Sequence, residues 1–370
     1  MTHSIPRRDD TVDYRKLLLS DTPMVDVRAP VEFKKGSVPG ALNLPLMSDS
    51  ERETVGIAYK TDGQDVAIET GHSLVQGAVK EARVAAWAAF AAEHPEGYLF
   101  CMRGGLRSQI SQRWMVEAGA SYPLVTGGYK ALRRFLIEET ERLVEALRFV
   151  IVAGRTGAGK TDFLGAVPNA LDLEGLANHR GSSFGRRVRG QPTQINFENR
   201  MSVDLMKLEA AFDCPIFIED ESRRIGIVEV PLVLATKMEC APAILIEEPL
   251  KDRVEIIHRD YVVGLAADYE AAFGQEAHKE HGAFLLAALQ RIKKRLGGAR
   301  YADVAALMQE ALQIQEKTGS DEAHKAWIET LLTEYYDPMY EYQLGNHERD
   351  LLFVGSRAEA LHWAPSVLPD

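Results

Sequence analysis

The run "LRFVIVAGRTGAGKTDFLGAV", residues 147–167, constrains the fold more tightly than any other stretch of the chain. Branched and aromatic residues ("RFVIVA") read as a buried strand, the spacing G-x4-G-K-T follows at once, and helix-forming residues come next. Backbone amides of such a loop converge on a phosphate at a helix N-terminus, while Gly154, Gly157 and Gly159 let the chain curl close to it. Lys160 adds a point charge, and the Thr161 hydroxyl is placed to hold a magnesium ion. The spacing specifies a phosphate-bearing ligand and leaves open whether that ligand is a nucleoside triphosphate.

A strand, loop and helix of this kind imply a P-loop NTPase-like α/β domain with a parallel sheet. Further short apolar runs, "PIFIEDE" (215–221), "IGIVEVP" (225–231) and "APAILIEEP" (241–249), supply its other buried strands. The first of them ends in Glu219, Asp220 and Glu221, and Glu219 and Asp220 are the candidates for a catalytic base or a magnesium ligand. From about residue 250 the periodicity becomes helical. Upstream of the loop, strands and helices alternate again. "PMVDVR" (23–28), "GALNLP" (40–45), "GYLFC" (97–101) and "YPLVT" (122–126) read as strands, residues 72–94 as one helix, and "RSQISQRWMVEAG" as a helix stopped by Gly119. With 370 residues the chain exceeds one ordinary domain. The expected division is an α/β domain over 12–140, the P-loop domain over 146–255, and a helical C-terminal region over 256–370.

A formal net charge of −11 argues against a general nucleic-acid coat, because phosphate neutralisation needs lysine and arginine. Two windows run the other way. Residues 97–137 hold six basic side chains against the single acid Glu117, and residues 175–197 hold four arginines and no acid. The N-terminus is charged and no apolar run reaches membrane-spanning length, so a cytoplasmic protein with no membrane partner is expected. Cys101, Cys214 and Cys240 are too far apart for a zinc site or a disulfide framework. No metal centre is expected from them, and Cys214 and Cys240 read as inert core thiols. "HRD" (258–260) lacks the companion motifs of a kinase, and "HKEH" (278–281) reads as a solvated helix face.

Cys101 differs from the other two. It ends a strand and opens the loop "CMRGGLRS", with Arg103, Gly104, Gly105 and Arg107 before a helix. A helix N-terminus and two arginines stabilise a thiolate, and the two glycines allow backbone amides to curl around an anion. The spacing Cys-x5-Arg also matches a phosphatase cradle. Spacing alone does not separate phosphoryl transfer from transfer of sulfur or selenium.

"MVDVRAPVEFKKGSVPGALNLP" (24–45), with Asp-Val-Arg, Glu-Phe and Gly-x-Val-Pro-Gly-Ala-x-Asn, resembles the amino-terminal signature of rhodanese domains. The resemblance implies a rhodanese-like fold in which Cys101 carries a chalcogen atom. Taken in order, "CMRGGLRS", "TGGYKALRRF", "GRTGAGKT", "LANHRGSSFG" and "FIEDESRRIG" resemble the tRNA 2-selenouridine synthase family. That resemblance implies an enzyme that geranylates wobble 2-thiouridine in tRNA with geranyl diphosphate, then replaces the geranylated sulfur with selenium from selenophosphate through a Cys101 perselenide. Arg103, Gly104, Gly105 and Arg107 would grip selenophosphate, and Gly154, Gly157, Gly159, Lys160 and Thr161 the diphosphate. Arg133, Arg134, Arg180, Arg186, Arg187 and Arg189 are the candidate tRNA contacts. The implied partners are tRNA and a selenophosphate supplier, not DNA. No tightly bound cofactor is implied, and magnesium is compatible with the loop. The other readings are a rhodanese-fold cysteine phosphatase with a regulatory P-loop module, or a nucleotide-gated RNA-binding protein.

Overall fold

A computed structural model describes residues 8–344 and 349–367. The chain divides into two compact units, one formed by residues up to Arg142 together with Thr193–Lys207, the other by Leu143–Pro192 and everything from Leu208 onward. This departs from the expected division in two ways. The segment 193–207 leaves the P-loop region for the first unit, and the helical region does not separate from the P-loop region.

The first unit is built on a parallel sheet of β1 (Met24–Asp26), β2 (Leu42–Asn43) and β3 (Tyr98–Phe100), in the order β2-β1-β3. The expected strand over 122–126 is reduced to bridges, in which Leu124 pairs with Leu99 and Val125 with Thr11. Each strand end is fixed by a side chain that the sequence supplies. The Arg28 guanidinium, 1% exposed, donates to the Asp26 carboxylate at 2.5 and 2.8 Å and to the Gly36 carbonyl at 2.8 Å, and lies 3.8 Å from the centre of the Tyr129 ring. The Asn43 amide donates to the carbonyls of Asp26 and Arg28 at 2.9 and 2.8 Å, tying β2 to the end of β1. Burial pushes the Asp26 carboxyl up, against the pull of Arg28. Arg28→Ala would leave that carboxyl buried without its partner, a loss of about 3–5 kcal/mol. Urea unfolding followed through Trp87 and Trp114, both in this unit, measures it, and a loss below about 1 kcal/mol would mean that water replaces the guanidinium.

The single helix expected over 72–94 is two helices, Gln64–Leu74 and Gly77–Glu93. The break falls between Val75, whose side chain is buried, and Gly77, whose left-handed φ of +54° turns the chain at the start of the second helix. A further helix, Asp49–Thr61, precedes them, started by a capping box in which Ser48 Oγ accepts from the Glu51 amide and Glu51 accepts from the Ser48 amide.

The second unit carries a five-stranded parallel sheet: β4 (Phe149–Gly154), β5 (Ala170–Leu171), β6 (Ile216–Glu219), β9 (Ala243–Ile246) and β10 (Leu351–Gly355), in the order β10-β9-β4-β6-β5. β4 is buried along its whole length at the centre. The run 225–231 does not join this sheet. It forms half of a small antiparallel hairpin, β7 (Arg224–Ile225) and β8 (Val228–Glu229), turning at Gly226 with φ +63°. β10 corrects the expectation that 256–370 is purely helical, because its apolar residues pair with β9 about a hundred positions earlier. The intervening helices pack around their own core of Val262, Leu285, Leu289, Met308, Trp327 and Leu331. Among the described residues no helix is long and apolar enough to cross a membrane.

Candidate active centres

Cys101 directly follows β3 and is 3% exposed, inside the core that also holds Val27, Leu99 and Trp114. Its Sγ lies 3.2 Å from the Ser108 hydroxyl and 3.9 Å from the Gly105 carbonyl, to which that hydroxyl donates at 2.9 Å. Burial raises the thiol pKa. The Ser108 hydroxyl, the amides of Arg103 and Ser108 and the Arg107 charge outweigh burial, and the pKa falls below the ordinary thiol value. A thiolate is therefore more populated at neutral pH than for a free cysteine, and it is lost as pH falls through the lowered pKa. Ser108→Ala should raise the midpoint and leave about tenfold less thiolate at neutral pH. Thiolate absorbance, taken as the difference from Cys101→Ser, reads this, and an unmoved midpoint would remove Ser108 from the account.

The loop is held from outside by the "TGGYK" segment. The helix Gly128–Ala146 opens by giving the Tyr129 amide to the Cys101 carbonyl and the Lys130 amide to the Met102 carbonyl, both at 2.9 Å. A Cβ on Gly128 would stand 2.2 Å from the Cys101 carbonyl oxygen, so only glycine fits there. Gly104 takes φ +66° within the same contact. Arg107 is turned to Glu32, which accepts from it at 2.6 and 3.1 Å, while Arg103 is exposed.

In the second unit, Gly154, Gly157, Gly159, Lys160 and Thr161 all line one cavity of about 270 Å³. Lys160 Nζ donates to the Gly154 carbonyl at 2.8 Å. The loop rests on Arg253, 2% exposed, whose Nε donates to the Thr156 carbonyl at 2.9 Å and whose other nitrogens reach Asp337 at 2.5 and 3.0 Å. Gly157, at φ +83°, leaves room for the Arg253 carbonyl, which a Cβ would approach to 2.8 Å. The remaining wall carries cations and carboxylates in contact. Asp162 accepts from Arg259 at 3.0 Å and from Arg357 at 2.6 Å, and Asp260 accepts from Arg180 and, at 2.8 Å, from Arg259. Burial, with Glu174 beside it, pushes the Glu221 carboxyl well above the usual range despite Lys160. The wall thus combines cations, hydrogen-bond donors and one carboxyl whose neutral form is favoured by its surroundings.

Residues 147–368 match the family model described as the tRNA 2-selenouridine synthase AAA domain. Over nearly the whole chain, the sequence is 53% identical to a tRNA 2-selenouridine synthase from Marinobacter nauticus, covering 97% of this chain and 98% of that one. It is 51% identical to the protein of that name from Alcanivorax borkumensis (95% and 98%) and 52% identical to the one from Bordetella bronchiseptica (96% and 97%). The chain belongs to the tRNA 2-selenouridine synthase family.

Within this family member the residues singled out from sequence fall into distinct settings. Asp220 and Glu221 line the phosphate-loop cavity, and Asp220 is paired with Arg349 at 2.6 Å. Glu219 does not line it. One of its oxygens accepts from the Glu174 amide at 2.6 Å, the other is buried without a hydrogen-bond partner, and burial, with Asp172 near, pushes its carboxyl well up. Arg180 faces the cavity, and Arg133 is tied to Glu198 and, at 2.7 Å, to Asn199. Arg134, Arg186 and Arg189 are exposed, and Arg187 lies 3.8 Å from Asp268. Cys214 is buried as expected, but Cys240 is exposed at the end of the helix Leu232–Glu239. His281 is also a correction: it is 2% exposed and faces the Tyr261 carbonyl at 3.2 Å, inside the helical core and not on a solvated face. Among the described residues no three His, Cys, Asp or Glu side chains form a metal-binding group. Sequence reasoning missed Glu174, and it set aside the "HRD" triplet that supplies Arg259 and Asp260 to the cavity wall. The signal for Arg259 and Asp260 was a pair of adjacent opposite charges, placed in the π-helical turn Arg259–Val263 that continues the helix Leu250–His258.

Proposed function

We propose that the chain converts wobble 2-thiouridine in tRNA to 2-selenouridine in two stages, with one centre in each unit. In the first, the thiouridine sulfur attacks the C1 carbon of geranyl diphosphate, the C–O bond breaks, and pyrophosphate leaves against Lys160, Thr161 and the loop amides. In the second, selenium derived from selenophosphate bonds to C2 of the base while the C2–S bond breaks, and the sulfur departs as geranylthiolate. Alkylation turns a poor leaving group into a good one. The observation that carries this reading is the pairing, in one chain of this family, of a thiolate-favouring cysteine with a phosphate-loop cavity.

Cys101 carries the selenium as a perselenide, Cys–S–Se⁻. Selenophosphate holds selenium at the selenide level, so Cys101 is loaded from its mixed disulfide with a small thiol: water takes the phosphoryl group as phosphate, the released selenide attacks the Cys101 sulfur, the S–S bond breaks and the small thiol leaves. After transfer to C2, a small thiolate attacks the Cys101 sulfur, the S–Se bond breaks, the selenium stays with the base and the mixed disulfide is restored. Arg103, Gly104, Gly105 and Arg107 steer the selenophosphate anion, which a separate enzyme supplies. Magnesium fits the phosphate loop through the Thr161 hydroxyl and the Asp220 carboxylate, which line the same cavity and would hold the ion together with substrate phosphates. When bound, the ion would offset charge on the departing pyrophosphate. The exposed Arg134, Arg186 and Arg189, with Arg187, serve as tRNA phosphate contacts.

The test is incubation of 2-thiouridine tRNA with geranyl diphosphate and then selenophosphate, with nucleoside mass analysis after each addition. An S-geranyl nucleoside followed by 2-selenouridine is expected. Absence of both products would refute the reading, and phosphoester hydrolysis dependent on Cys101 without selenium would replace it with a phosphatase. Radioactive phosphate, in place of selenium, on Cys101 would overturn the perselenide.

A further inference from the structure

The first unit contains a second hollow that the chemistry so far does not use. It measures about 270 Å³ and is walled by apolar side chains, among them Leu46, Val55, Ile68, Val75, Ile110 and Trp114. Two walls are the helices Asp49–Thr61 and Gln64–Leu74, and a third is the helix Leu106–Glu117 that leaves the cysteine loop. Protein interiors close such spaces, and this one stays open to solvent with Tyr59 and Leu106, 58% and 44% exposed, among its lining. Its volume lies just below the roughly 300–1,000 Å³ of sites for drug-sized ligands, which suits a slim hydrocarbon chain.

Its place relative to Cys101 narrows the occupant. Arg107 is in the wall of the hollow, and its charge acts on the Cys101 thiol, so hollow and thiol share one side chain. In the second stage proposed above, the group leaving C2 is a sulfur bearing a ten-carbon chain. That chain must rest somewhere close to the incoming selenium. The phosphate-loop cavity, with its charged wall, suits a diphosphate and not a terpene tail.

We propose that this hollow receives the geranyl chain of the S-geranyl nucleoside during exchange of sulfur for selenium and holds geranylthiol as it leaves. The inference rests on the two-stage reading. During the exchange the C2–Se bond forms as the C2–S bond breaks, the bonding pair stays with sulfur, and geranylthiolate takes a proton from water. Apolar contact with the chain fixes the sulfur, and through it C2, within reach of the selenium carrier.

The test compares two RNA substrates, S-geranyl and S-methyl 2-thiouridine, each with selenophosphate. Val55→Phe and Ile68→Trp fill the hollow. The expected result is a tenfold or greater fall in S-geranyl exchange with S-methyl exchange retained, so the short substrate reports that fold and Cys101 are intact. An unchanged ratio of the two rates overturns the proposal. A second measurement uses the unaltered chain: the S-geranyl-2-thiouridine nucleoside should change fluorescence, and the change should vanish in Trp114→Phe. No Trp114 response also overturns it. If the unaltered chain fails to geranylate 2-thiouridine tRNA, the two-stage reading fails, while the nucleoside response still reports whether the hollow takes the chain.

Discussion

Cys101→Ser should stop selenium incorporation, with a fall of about 10³-fold or more, while S-geranyl tRNA accumulates. The buried site accepts a serine of similar shape, so the fold is retained, but a hydroxyl beside Ser108 does not ionise at neutral pH and cannot carry selenium. Geranyl transfer, assigned to the other centre in the proposed two-stage reading, should proceed at the unaltered rate. Mass analysis of tRNA nucleosides from cells carrying only the variant reads both quantities at once. Normal 2-selenouridine would remove Cys101 from the chemistry, and loss of both products would point to a structural role.

Lys160→Ala should have the opposite signature, losing geranyl transfer by about 10²–10³-fold. Its ammonium donates to the Gly154 carbonyl at 2.8 Å, and on the proposed reading it offsets the charge that develops on departing pyrophosphate. Selenium exchange on a pre-geranylated tRNA should persist. Rates measured against geranyl diphosphate concentration separate a loss of binding from a loss of transfer. A variant that still geranylates but no longer binds nucleoside triphosphate would assign the loop to a nucleotide.

The strand, loop and helix around Cys101 and around Lys160 were legible because each is one local stretch of chain. β4 and the glycine loop form one uninterrupted stretch, and so do β3, Cys101 and the helix after it. What escaped notice depends on distant pairing or lacks an apolar pattern. The helix Asp49–Thr61 buries none of its residues, so no periodicity marks it, although Ser48 and Glu51 spell its capping box. β10 is an apolar run whose partner, β9, lies about a hundred residues away. Its strand character is visible only once that partner is known. Glu174 and Glu221 come from separate segments, and the rise of the Glu221 carboxyl through burial and the neighbouring Glu174 is a consequence of folding that spacing does not encode. Arg107 follows Cys101 by six residues and its charge acts on the thiol, but its bond to Glu32 joins the cysteine loop to the "EF" of the amino-terminal signature, a link made by folding.

The position of β10 also bears on how the chain is made. It is the last strand in chain order among the described residues, and it covers the outer side of β9, whose residues Ala243–Ile246 are apolar and almost wholly buried. Until Leu351–Gly355 arrives, that side presents a row of unsatisfied amides and carbonyls, the template on which a second chain adds itself. A chain interrupted before Leu351 would keep its glycine loop and yet expose that edge, so aggregation is the expected mark of synthesis that stops short of β10.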